Sequence, residues 1–136
     1  MNDKSTIKKH WAQWSSILLI IIGLAFGVTM LPTGYSDDLS VIGSGKNVAV
    51  LVHNKEGVRS LNLMNQVDAI REHYKGRIEF RIAESGSQRG AEFAQRNMAG
   101  DATLVLFRGD GTMANRLANL ESVESLASAL DQTFGY

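Results

Sequence analysis

No cysteine occurs in the 136 residues. That absence excludes disulfides, cysteine-ligated zinc and thiol catalysis. It excludes no compartment, because a cysteine-free chain is stable on either side of a membrane. An excess of charge of either sign is missing too: 14 lysines and arginines balance 14 aspartates and glutamates. A neutral chain has no electrostatic pull toward nucleic acid, so no nucleic-acid partner is expected. Proline occurs once, at Pro32, and there is neither an internal repeat nor a low-complexity tract. The histidines His10, His53 and His73 are too scattered to build a metal site, and no metal or cofactor is expected.

What the chain does have is one long apolar run near its start. Residues 1–10 carry Lys4, Lys8 and Lys9 against Asp3, and no charged residue falls between Trp11 and Leu31. A bilayer core needs about 20 mainly apolar residues at helical rise, so residues 11–32 read as a transmembrane signal anchor. Trp11 and Trp14 suit the headgroup layer, and Pro32 stops the helix. The competing reading is a cleaved signal peptide. Against it, the run is long for a signal core of about 7–15 residues, and its best small-residue pair, Ala25 and Gly27, lies inside the run. Lysines before the span and Asp37 and Asp38 after it keep residues 1–10 cytoplasmic. The rest of the chain is then periplasmic, or otherwise extracytoplasmic. Gly23 and Gly27 have the spacing that lets membrane helices approach closely, a candidate contact in its own right.

Residues 33–46 read as a flexible linker rich in Gly and Ser. Gly43-Ser44-Gly45-Lys46 is not a phosphate-binding loop: Ser40 stands where the first glycine is needed, and Asn47 replaces the Ser or Thr that holds magnesium. Beyond it, Val48-Ala49-Val50-Leu51-Val52 is continuously apolar, as a central strand requires. A polar loop follows, then a helix with Leu63, Val67, Ile70 and Tyr74 on one face, widened by Leu61 and Met64. Ser60 is its expected N-cap and Gly76 its C′ residue. Ile78, Phe80 and Ile82 alternate as a second strand. A short helix over 88–97 is expected to turn Ala91, Phe93 and Ala94 inward. Residues 102–107 form a buried strand. Asp110-Gly111 makes a hairpin turn, which also accounts for the Arg108-Gly109-Asp110 tripeptide. Residues 112–117 return as an edge strand. Ser122 caps a last helix with the stripe Val123, Leu126, Ala127, Leu130 and Phe134. The order is β-α-β-α-β-β-α, an α/β domain over 47–136 with a mixed central sheet.

This order resembles the thioredoxin-like fold over nearly all of 47–134. Tyr74-Lys75-Gly76 with Arg77-Ile78-Glu79-Phe80 is similar to the end of that family's active-site helix and its next strand. The stretch from Ala102 to Gly111 is similar to its strand-hairpin segment. The resemblance places the family's Cys-x-x-Cys on Gly57, Val58, Arg59 and Ser60, and its cis-proline on Ala102. Neither cysteine is present, and a cis bond before a non-proline costs roughly 2.5–4 kcal/mol, so a trans Asp101–Ala102 bond is expected. The resemblance thus implies the fold and argues against the activity.

Three functional readings remain. The first is a redox-inactive, membrane-tethered accessory, assembly or scaffold subunit, not an enzyme, whose partners are membrane lipid and other membrane or envelope proteins. Its grip would come from a groove, a helix terminus and an exposed sheet edge. The contact residues expected are His53, Asn54, Lys55, Glu56, Arg59, Asp101 and Thr103. The second is an envelope enzyme or folding factor using non-thiol chemistry at His53 or Ser60. The third places the specific contact in the membrane helix.

Overall fold

The computed structural model describes residues 34–136. The anchor, the residues before it, and Gly23 and Gly27 lie outside the described residues. Among the described residues no helix is long and apolar enough to cross a membrane.

The elements are β1 (Asn47–His53), α1 (Val58–Ile70), β2 (Ile78–Glu84), α2 (Gln88–Arg96), β3 (Thr103–Phe107), β4 (Met113–Ala118) and α3 (Val123–Phe134). They form one four-stranded sheet in the order β2-β1-β3-β4. β1 pairs parallel with β2, from Asn47 opposite Ile78 to His53 opposite Glu84. It pairs antiparallel with β3, from Val48 opposite Phe107 to Val52 opposite Thr103. β3 and β4 make the hairpin.

The unbroken apolar run of β1 follows from its central place. Alternate side chains point to opposite faces, and both faces are covered. Ala49 and Leu51 join Leu63, Val67, Ile70, Leu126 and Leu130 in the core beneath α1 and α3. Val48, Val50 and Val52 join Phe93, Val105 and Phe107 beneath α2.

Several expectations need correction. Gly57, not Ser60, is the N-cap of α1, because the Ser60 hydroxyl is drawn under the helix by other partners. Leu61 stays 43% exposed, since the buried stripe runs through Ser60, Leu63, Val67 and Ile70. Ala91 is exposed and Gly90 takes the buried place on α2. A Cβ at Gly90 would collide with the Glu84 backbone, so the helix can approach the strand only through glycine. Finally, the supposed linker belongs to the domain from Tyr35 onward. Ser36 forms a parallel bridge with Arg81, and the Ile82 N–H donates to the Ser36 carbonyl at 3.1 Å. Leu39, Val41 and Ile42 pack on the α2-side core. Apolar side chains there outweigh the flexibility of Gly43 and Gly45.

The helix α1 gives way to turns after Ile70, yet Tyr74 remains 1% exposed. Its hydroxyl donates to Asp131 Oδ1 at 2.7 Å. Gly76, expected as the C′ residue of α1, lies beyond the helix, whose C-cap is Arg71; at φ 80° it reverses the chain into β2 instead. At the other end of the domain, Ser122 caps α3 in a reciprocal box with Ser125, as its sequence position led one to expect.

Candidate functional site

The carboxyl end of β1, the amino end of α1 and the turn before β3 meet at one rim of the sheet. Three hydrogen-bonded residues organise it. His53 is 5% exposed and Ser60 1%, and His53 Nδ1 lies 2.7 Å from Ser60 Oγ. The Asn54 N–H donates to the same Oγ at 2.9 Å. An oxygen already accepting from Asn54 is best satisfied by donating its own proton to Nδ1, which leaves the His53 proton on Nε2. Burial lowers the His53 pKa below the usual histidine value; Glu84 and Asp101 oppose the shift and Lys55 adds to it.

Asn54 ties the rim together. Its Nδ2 donates to Asp101 Oδ2 at 3.0 Å, and its Oδ1 accepts from the Glu56 N–H at 3.0 Å. Its carbonyl accepts from the Gly57 N–H at 3.0 Å. Asn54 therefore fixes both the loop and the turn before β3. Lys55 pairs with Glu84 at 2.9 Å. Thr103, expected as a contact, is buried in β3 opposite Val52 and only 7% exposed. Val58 and Leu61, apolar and 72% and 43% exposed, stand one helical turn apart beside the rim. Arg59 and Glu56 are exposed.

No cis peptide bond occurs among the described residues, so the Asp101–Ala102 bond is trans. Ala102 reaches its place through a left-handed backbone instead, at φ 59°, which costs a side-chain-bearing residue roughly 1–2 kcal/mol. Its N–H donates to the Val52 carbonyl at 3.0 Å.

Between α1, Ala102 and the turn 118–121 lies a cavity of about 300 Å³. Arg59 and Gln66 reach it from α1, Asp101 and Ala102 from the turn before β3, and Leu120 and Glu121 from the turn before α3. Gln66, Leu120 and Glu121 were not among the residues singled out from the sequence. The only signal was a glutamine next to the apolar stripe of α1 and a leucine stranded between polar residues.

A hydroxyl as enclosed as that of Ser60 offers no approach to an electrophile, although His53 lies within hydrogen-bond reach. His73 lies in the turns beyond the carboxyl end of α1, against Tyr74. Among the described residues no group of three His, Asp or Glu side chains could hold a metal ion.

No protein-family model matches the chain, and no curated protein matches it. Among solved structures it is similar to thioredoxin O2 from Arabidopsis thaliana in the oxidised state. The TM-score is 0.58 at 12% identity, over 70% of this chain and 84% of that one. The likeness is one of fold: the mixed four-stranded sheet flanked by three helices is thioredoxin-like.

Proposed function

We propose that this chain is a membrane-tethered, redox-inactive thioredoxin-like module that serves as an accessory, assembly or scaffold subunit of a membrane-associated complex. The observation that carries this reading is Ser60. It stands where the resemblance puts the second cysteine of the dithiol, and its hydroxyl is enclosed and committed to His53 and Asn54. The chain has no cysteine to replace it. A corner that elsewhere exchanges electrons here stiffens a rim.

Beside that rim the molecule offers a cavity of drug-fragment size, an exposed guanidinium at Arg59 and two exposed apolar side chains, Val58 and Leu61. Apolar anchors around a preformed cleft are what a partner segment needs. The residues 11–32 supply the tether, with residues 47–136 outside the cytoplasm.

The test is capture from the membrane. The full chain is extracted in a gentle detergent and the proteins that come with it are identified. Replacing Val58 and Leu61 together by Asp should release the partner while the fold, read by circular dichroism, is unchanged. A partner set indifferent to that double change, or turnover of a dithiol substrate by the pure chain, would overturn the reading. A hydrolytic reading of the His53–Ser60 pair has its 2.7 Å contact in its favour. It requires a serine that substrate can reach, and Ser60 is 1% exposed.

A further inference from the structure

Gln66 Oε1 is buried and has no hydrogen-bond partner, and no other side-chain oxygen or nitrogen among the described residues stands so. The sense of the amide is fixed by its other end, because Nε2 donates to the Leu120 carbonyl at 3.3 Å. Turned over, it would set two oxygens against each other. A buried acceptor left without a donor is a standing penalty that an incoming donor removes.

The surroundings say which donor. Two carboxylates, Asp101 and Glu121, line the cavity against one guanidinium, Arg59. Glu121 has no ion pair among the described residues. The Leu120 carbonyl beside Gln66 is a further acceptor, held by a single long hydrogen bond. An anion would meet both carboxylates, and an apolar side chain would leave Oε1 as it is. Strain is concentrated here as well. Of the three described non-glycine residues with positive φ, Ala102 at 59° and Asn119 at 55° line this cavity. Such backbone states gather where ligands are clamped.

Resting on the reading that the rim grips a partner segment, we infer that this cavity is the subsite for a cationic hydrogen-bond donor, the side chain of a lysine or arginine on that segment. The part-buried Gln66 side chain turns to uncover Oε1, and the donor head is shared between that oxygen, the Leu120 carbonyl and a flanking carboxylate. The alkyl stem lies along Leu63 and Ala102.

The test uses the full chain in detergent micelles and n-butylammonium as probe, with n-butanol and butyrate as matched controls, read by amide chemical shifts. Butylammonium should shift the Gln66 side-chain amide and the Leu120 and Glu121 backbone amides in a saturable way. Gln66→Leu should weaken that response about tenfold or more, and Gln66→Glu should strengthen it. Equal responses to butanol or butyrate, or a response untouched by both Gln66 variants, overturn the subsite. Partner capture separates the two readings. A chain that keeps its partner but shows no preference for the cation overturns the subsite alone. A chain that captures nothing yet answers butylammonium at Gln66 keeps the subsite and overturns the scaffold role.

Discussion

Ser60 fastens the end of β1 to the start of α1. Its Oγ accepts from the Asn54 N–H and lies 2.7 Å from His53 Nδ1, so removing it orphans a backbone donor and an imidazole nitrogen together. Ser60→Ala should destabilise the domain by about 1–3 kcal/mol, measured by urea unfolding, with no change in an activity that depends on surface contact. His53 adds a pH dependence. Burial holds its folded-state pKa below the ordinary 6.5, so the unfolded chain binds a proton that the folded chain refuses. The corresponding stability is complete above about pH 6.5 and is lost as the pH falls toward the depressed value. Unfolding curves of the parent should therefore weaken over that interval, and those of His53→Gln should be flatter. A parent curve as flat as the variant's would remove burial as the cause.

At the scale of elements, the turn before β3 holds Ala102 in a left-handed backbone where the resemblance placed a cis-proline. Putting proline at Ala102 would impose a φ near −65° on a backbone at 59° and delete the N–H that donates to Val52. Ala102→Pro should thus destabilise by about 3 kcal/mol or more, seen as a lowered melting temperature; an unchanged one would mean that this turn can take the proline form. The strap of residues 35–42 is the other unexpected element. The Tyr35 hydroxyl donates to Asp68 Oδ1 at 2.6 Å, with the Arg71 guanidinium 5.0 Å from the centre of the ring. That anchor holds Ser36 against the outer edge of β2. In Tyr35→Ala the Ile82 amide should exchange with solvent about tenfold or more faster, while amides of β3 keep their protection. The far edge is blunted differently. The Arg116 N–H is taken by the Asn115 side chain, and the pairing of β3 with β4 is bulged between Leu106 and Phe107. Both devices discourage strand addition at the β4 edge.

For the molecule as a whole, the absence of cysteine removes thiol chemistry, and charge balance removes a net electrostatic pull toward nucleic acid. The orientation drawn from Lys4, Lys8 and Lys9 predicts that a phosphatase fused after Tyr136 is active and a cytoplasm-dependent reporter at the same place is not. The reverse pattern would sink the extracytoplasmic assignment.

Local pattern was enough for the element order, the central place of β1 and the Ser122 cap. Each depends on neighbours within one strand or one helical turn, where periodicity and capping chemistry act directly. The sequence by itself also determined the loss of thiol chemistry, since a missing sulfur needs no coordinates. Tertiary structure alone decided the rest. Ser60 does not cap α1 because its hydroxyl is taken by His53 at the end of β1 and by the Asn54 N–H. Residues 35–42 became a strap because the edge of β2, more than 40 positions onward, offered hydrogen bonds. The cavity exists because Gln66, Ala102 and Leu120, far apart along the chain, were folded against one another. Contacts between distant segments are set by packing and by competition for hydrogen-bond partners, and neither leaves a periodic trace in the order of residues.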